Sequence, residues 1–279
     1  MRLSFLARAD DPASGGRQMP MHYCIKNLRI VSQSSATGTQ YLQAVGCAMA
    51  RKKEKTKEVV YVSSGEGTTS QGDFHEALNW ASNAKAPVIF HIQDNEYAIS
   101  THKSEQTADS VYNMTAGYKK LSRYEEDGTD FFEANLAFDQ AIERARKGKG
   151  PSVIISNVVR LLPHSSSDDQ RKYRTEKSLN EDKKRDPLKV LEDQCLKAKF
   201  ISASEFKNIR DKAIEQVDKD AEWADVGDWM WENRDSYNGL SVLPYDGGSY
   251  TQAPFEECSK ETYEVMLSTL KDINLAKVK

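Results

Sequence analysis

The stretch "EVVYVSSGEGTTSQGDFHEALNWASNAKAPVIFHIQDNEYAIS", Glu58 to Ser100, constrains the fold of this chain more than any other. Its two short apolar runs, "EVVYVSS" and "VIFHIQ", read as buried strands. Between them Phe74, Ala77, Leu78 and Ala81 recur at helical spacing, with Ser70 as the expected cap, Asp73 three positions on, and Pro87 closing the connection. Further along, "DFFEANLAFDQAIERARKGKG" reads as a helix closed by Gly148 and Gly150, followed by a third strand, "PSVIISNVVR". Strands alternating with helices in this order predict an α/β fold, a parallel sheet with helices on both faces, whose ligands gather beyond the carboxyl ends of the strands. Gly65-Glu66-Gly67, Asn95 and the segment from Arg160 to His164 each follow such a strand end, so three separate stretches converge on one edge. Upstream, "TQYLQAVGCAMARKK" from Thr39 reads as a helix in which Ala44, Gly46, Ala48 and Ala50 allow close packing on a neighbour.

Composition narrows the function. In 279 residues, 39 basic side chains stand against 42 acidic ones, a balance that argues against nucleic-acid binding, because phosphate neutralisation needs a concentrated basic surface. Cys24, Cys47, Cys195 and Cys258 are far apart with no C-x-x-C pair, which suggests neither a zinc site nor a disulfide framework and fits a reducing compartment. No apolar run approaches the roughly 18 residues of a spanning helix, and "LSFLA" is too short for a signal peptide, so a cytoplasmic protein with no membrane association is expected. Nucleotide binding is disfavoured, since neither G-x-x-x-x-G-K-[ST] nor G-x-G-x-x-G occurs. The texture changes after Asp186: residues 187–225 read as a helical part, and residues 226–279 as an extended arm with a weakly helical end.

The two strand ends suit one kind of ligand. A diphosphate needs a divalent cation, and Mg²⁺ takes six oxygen donors, which carboxylate, amide oxygen and peptide carbonyl supply. Glu66 sits between two glycines that let a ligand approach the backbone, Asn95 follows 29 residues later, and the carbonyl of Tyr97 completes the set. A lone Gly-x-Gly is ordinarily just a strand-to-helix turn. Here the glycines, the helix, the second strand and the asparagine arrive in order, and that spacing resembles the thiamine-diphosphate motif.

The match extends beyond the motif. "DPASGGRQMPMH", "GEGTTSQGDFHEALNWAS", "DNEYAISTHKSEQ" and "HSSSDDQRKYR" together resemble the alpha subunit of branched-chain 2-oxoacid dehydrogenase, over roughly residues 10–220. The resemblance implies the thiamine-diphosphate-binding fold over residues 1–186, with thiamine diphosphate and Mg²⁺ as cofactors and K⁺ as a further ion. By the same resemblance Glu66, Asn95 and the Tyr97 carbonyl bind Mg²⁺, while Gly65 and Gly67 admit the diphosphate. Arg160 contacts the phosphate, as its fork geometry suits. Ser35 and Thr37 cradle the cofactor, and Ser34, Thr39 and Gln40 lie near a monovalent cation. His164 falls in the loop over the cofactor, where it orients the reacting intermediate and assists acyl transfer. Ser165 matches a position phosphorylated in animal enzymes. The activity implied is decarboxylation of a 2-oxoacid with transfer of the acyl fragment to a lipoyl acyltransferase component. The partner implied is a beta subunit or a fused beta domain, in a heterotetramer or a dimer of fused chains.

Several positions depart from the family pattern. The family has a Tyr-Arg phosphate clamp upstream of "SGGRQM" that this chain lacks, so an N-terminally incomplete domain is expected, and "KETYEVMLSTLKD" is read as the start of a fused beta part. Gln93-Asp94-Asn95-Glu96 stands where many branched-chain members have Arg-Asn-Asn-Gly, which removes a positive charge near the phosphates and adds negative ones. Ala36 stands where the family has proline, so a looser turn is expected there. Two other readings fit these features: the alpha subunit of pyruvate dehydrogenase, and a non-catalytic relative acting in interaction or assembly.

Overall fold

The computed structural model of the chain describes residues 9, 11–19, 22–32 and 35–220. Among these, all but Ser165–Ser167 fall in one compact unit. The arm expected over 226–279, Cys258 and the "KETYEVMLSTLKD" stretch lie outside the described residues.

Six strands are present among the described residues: β1 (Val60–Gly65), β2 (Val88–Asp94), β3 (Tyr97–Ala98), β4 (Thr101–His102), β5 (Ser122–Asp127) and β6 (Ser152–Asn157). Four of them form a parallel sheet in the order β1-β2-β6-β5, and β3 pairs antiparallel with β4 in a small hairpin. The sequence pattern misses β5, "SRYEED", because its mixed polar residues show no apolar run; it is an edge strand, with one neighbour and one free side.

Helices cover both faces. On one face lie α1 (Thr39–Lys53) and α2 (Gly72–Ala84). α1 buries Tyr41, Ala44, Val45 and Ala48, and α2 buries Phe74, Ala77, Leu78 and Ala81, against Val62, Val88, Phe90, Ile92, Val153 and Ile155 of the sheet. Gly46 and Ala50 of α1 face solvent, so close packing rests on the two alanines four residues apart. On the other face α3 (Phe131–Arg146) sets Ala137 and Ala141 on Ile89 and Ile154. The alternation along β2 follows from the pleat, which sends Val88, Phe90 and Ile92 one way and Ile89 and His91 the other.

Helix starts follow local chemistry. Asp130 caps α3 by accepting from the N–H groups of Phe132 and Glu133, and Gly148 and Gly150 turn the chain beyond its end with φ of 67° and 107°. α2 differs from expectation: Gln71 is its N-cap and makes no side-chain capping bond. The chain first makes a 3₁₀ turn over Glu66–Ser70, which moves the helix start past Ser70, and Ser70 Oγ instead accepts from the Gln106 amide at 3.0 Å. Three more helices follow, α4 (Glu176–Lys184), α5 (Pro187–Lys197) and α6 (Ala203–Asp220), the first two capped by Thr175 and Asp186. No helix among the described residues is long and apolar enough to cross a membrane.

A polar chain runs through the α3 face. Ser156 Oγ donates to the Glu126 carboxylate, so it accepts from His91 Nε2–H at 2.8 Å, which leaves Nδ1 to accept from the Tyr61 hydroxyl at 2.8 Å. Burial pushes the His91 pKa down to about 4, so the folded imidazole is neutral. Burial also raises the Glu126 carboxyl above its usual range, although the Ser156 hydroxyl pulls it back in part. Between pH 6.5 and about 4 the unfolded chain binds the proton that the folded His91 refuses, so stability falls on acidification. Glu126 contributes with the opposite slope above its unfolded value of 4.5. In denaturant titrations across that window, wild type should lose up to about 1.4 kcal/mol per pH unit from His91, and His91→Asn should remove that slope. An unchanged slope in the variant would show that His91 is protonated in the folded chain.

Candidate functional site

The site begins one residue past two strands. β1 ends at Gly65 and β2 at Asp94, and the parallel register sets Gly65 opposite Gln93, so Glu66 and Asn95 leave the sheet side by side. The Asn95 N–H donates to Glu66 Oε2 at 3.2 Å. Asn95 Oδ1 then accepts from the Tyr97 N–H at 3.1 Å, and Asp94 Oδ1 from the Glu96 N–H at 3.0 Å, two turns of the kind Asx side chains favour. The three expected donors of a dication, Glu66, Asn95 and Tyr97, are therefore linked through consecutive hydrogen bonds.

Glu66 is only 2% exposed, and its Oε1 has no hydrogen-bond partner. Burial raises its pKa; the N–H groups of Glu66 itself and Asn95 lower it, Asp94 adds like-charge repulsion, and Lys103 offsets part of this. A buried carboxylate oxygen without a partner is costly unless a cation or a proton completes it. Among the described residues no cluster of three or more His, Cys, Asp or Glu side chains could hold a metal, so a cation here would take a mixed set of one acid and neutral oxygens.

The two glycines play different parts. A Cβ on Gly67 would lie 2.6 Å from Ala98 Cβ, so the turn closes onto the loop after β2 only without a side chain. The Gly67 carbonyl is tied to the same loop by the Gln106 amide at 2.6 Å. Gly65 has φ of −76°, and its nearest neighbour would be 3.9 Å from an added Cβ. Among the described residues no contact demands glycine at 65.

The third strand end brings Arg160. Its Nη1 donates to the Ile99 carbonyl at 2.7 Å and its Nη2 to the Tyr173 hydroxyl at 2.6 Å, while Tyr173 donates to Asp168 at 2.7 Å. The guanidinium groups of Arg160 and Arg174 lie 5.5 and 4.9 Å from the Tyr97 ring, favourable cation–π distances. Arg174 is itself buried and fixed by Gln170, Ser178 and Asp182. His164 is exposed, and its N–H donates to Asp168 at 2.8 Å. Within Ser165–Ser167 the hydroxyls of Ser165 and Ser167 are 3.1 Å apart.

The upstream positions gather at the start of α1. Ser35 Oγ lies 2.8 Å from His22 Nε2, and Thr37 is exposed. Thr39 Oγ1 donates to the Ala36 carbonyl at 3.0 Å, which closes the turn that alanine in place of proline was expected to loosen. Gln40 Oε1 accepts from the Gly38 N–H at 3.1 Å. Ser34 lies outside the described residues.

Sequence reasoning gave no role to Lys103 or Gln106 and counted Asp94 only as an added negative charge. Asp94 is buried, and its Oδ2 accepts from Lys103 Nζ at 3.1 Å; the same ammonium lies 3.4 Å from Glu96. Burial works against that ammonium, yet Asp94 and then Glu96 raise its pKa on balance. The signal was present as a lysine nine residues after an acid, but only the β3–β4 hairpin brings the two together.

The dehydrogenase E1 component family matches residues 2–227 of the chain. The 2-oxoisovalerate dehydrogenase subunit alpha of Bacillus subtilis (strain 168) is 44% identical over 189 residues, covering 67% of this chain and 57% of that relative. The pyruvate dehydrogenase E1 component subunit alpha of the same strain is 38% identical over 174 residues, covering 62% and 46%. The chain thus spans about half the length of the curated relatives it matches.

The glycine contrast is testable by thermal or urea unfolding. Gly67→Ala should cost about 1–3 kcal/mol through the Ala98 clash, whereas Gly65→Ala should stay within about 0.5 kcal/mol of wild type. Equal losses at both positions would remove the distinction. Glu96 has φ of 71°, so Glu96→Gly should stabilise the fold by about 1 kcal/mol in the same assay.

Proposed function

The chain belongs to the dehydrogenase E1 component family, and from that premise we propose that it is the alpha part of an enzyme that oxidatively decarboxylates a branched-chain 2-oxoacid using thiamine diphosphate and Mg²⁺. The observation that carries this reading is the buried Glu66 carboxylate with an unpartnered Oε1, held against the Asn95 N–H at the edge where two parallel strands end. The residues fit the group: one acidic oxygen lacks a partner, Asn95 Oδ1 accepts a single hydrogen bond, and a Cβ added at Gly65 would meet only the Gln93 carbonyl, at 3.9 Å.

In this reading Glu66, Asn95 and the Tyr97 carbonyl hold Mg²⁺, and Gly65 and Gly67 admit the diphosphate. Ser35 and Thr37 cradle the cofactor, and Arg160 contacts its phosphate. When bound, thiamine diphosphate supplies the carbon nucleophile and electron sink that loss of carbon dioxide from a 2-oxoacid requires. His164, on an exposed loop tied down by Asp168, orients the reacting group and assists acyl transfer. A beta subunit or fused beta domain completes the site, and a lipoyl acyltransferase component receives the acyl group. Branched-chain substrates are favoured over pyruvate by the higher identity to the 2-oxoisovalerate relative, 44% against 38%.

Calorimetric titration of the chain, with its beta partner present, should show thiamine diphosphate binding that depends on Mg²⁺. Glu66→Gln should abolish that dependence while leaving the unloaded protein at least as stable as wild type, because it removes a buried charge. Gly65→Ala should weaken binding without altering the melting temperature. If the wild-type chain gives no binding heat with or without the beta partner, the non-catalytic reading replaces this one.

A further inference from the structure

Three carboxylates meet at this edge: Glu66 and Asp94, both buried, and the more exposed Glu96. A diphosphate brought to them with a single dication arrives with net negative charge. Placing it there requires that the acids be neutralised from within, since buried like charges repel through a medium of low effective dielectric. Asp94 bears directly on Glu66, and Lys103 bears on it with the opposite sign.

We propose that Lys103 is a positioning residue for the diphosphate: its ammonium, 3.1 Å from Asp94 and 3.4 Å from Glu96, offsets part of the negative charge at this strand end so that an anionic cofactor can be accepted beside Glu66. The inference rests on the function proposed above. Lys103 is well placed for it by backbone as well as side chain, because its N–H donates to the Glu96 carbonyl at 2.8 Å and locks the hairpin that presents the ammonium. Its acidic partners Asp94 and Glu96 flank Asn95, and Glu96 directly precedes Tyr97, so the offset charge sits where the cation donors are. Lys103 acts through Asp94 and Glu96; its two ion pairs leave the buried, unpartnered Oε1 of Glu66 as the acid available to a ligand.

The test uses the full chain with its beta partner, as wild type, Lys103→Met, Lys103→Arg, Asp94→Asn and Lys103→Met/Asp94→Asn, with melting temperatures recorded for each. Thiamine diphosphate is titrated at saturating Mg²⁺, and Mg²⁺ is titrated alone. Lys103→Met should bind thiamine diphosphate about tenfold more weakly, the effect expected of one uncompensated charge at short range. Its affinity for Mg²⁺ alone should be unchanged or higher, because the site becomes more negative. Lys103→Arg should behave as wild type, and adding Asp94→Asn to Lys103→Met should restore binding to within about threefold of wild type. The inference is overturned if Lys103→Met binds as wild type, or if the double variant stays as weak as the single one, which would mark Lys103 as a direct phosphate contact. Parallel loss of Mg²⁺ and thiamine diphosphate binding would mark a merely structural role and also overturn it. A wild-type chain that binds no thiamine diphosphate, yet shows a Lys103–Asp94 coupling in its melting temperatures, overturns the functional reading and this inference with it while leaving the ion pair as a structural element.

Discussion

The parallel pairing of β1 with β2 is the constraint on which the rest depends. Six residues of β1 face six of β2, from Val60 opposite Val88 to Gly65 opposite Gln93. That register is fixed by packing, because Val62, Val88, Phe90 and Ile92 must all reach the face covered by α1 and α2. A slip of one residue would turn His91 into that apolar face and carry the Asn95 N–H away from Glu66. The hydrophobic layer therefore decides which polar atoms meet beyond the strands.

What meets there is held under strain by contacts from outside the loop. Glu96 and Ile99 adopt φ of 71° and 57°, a region that costs an ordinary side chain about 1–3 kcal/mol. The Lys103 N–H grips the Glu96 carbonyl and Arg160 grips the Ile99 carbonyl, so each strained residue has its carbonyl tied down. Between them the Tyr97 ring sits near two guanidinium groups, one of which is buried and fixed by three side chains. A loop over-determined in this way presents its oxygens before any ligand arrives, which lowers the entropy that binding must supply.

The legible parts of this architecture are those with a repeating apolar signal. α1 spans the stretch read from Thr39 to Lys53, and Phe74, Ala77, Leu78 and Ala81 are all fully buried, because helical spacing and small side chains speak directly to packing. β5 was invisible because an edge strand of Ser, Arg, Tyr, Glu and Asp carries no such repeat. The cap of α2 was misread because Ser70, a good capping residue by type, was drawn into the 3₁₀ turn and bound by Gln106, a partner 36 residues away. At the site, the order of motifs singled out Glu66 and Asn95, which the fold brings together, but not why Gly67 differs from Gly65. That difference comes from Ala98, which only the return of the β3–β4 hairpin brings near.

The same hairpin changes the meaning of Gln93-Asp94-Asn95-Glu96. Taken position by position against Arg-Asn-Asn-Gly, the segment loses a cation and gains two acids, three separate penalties for an anionic ligand. In three dimensions the acids are not separate. Both Asp94 oxygens are engaged, one by the Glu96 N–H and one by Lys103, and Glu96 leans on the same ammonium. Gln93, where the cation is missing, points to solvent. Charge at this edge is therefore a property of four residues and one lysine beyond the hairpin, and the oxygen left to face a ligand is Oε1 of Glu66. Two acids that look like independent charges in a linear comparison become, once the chain folds back, partners of one ammonium that offsets part of their charge.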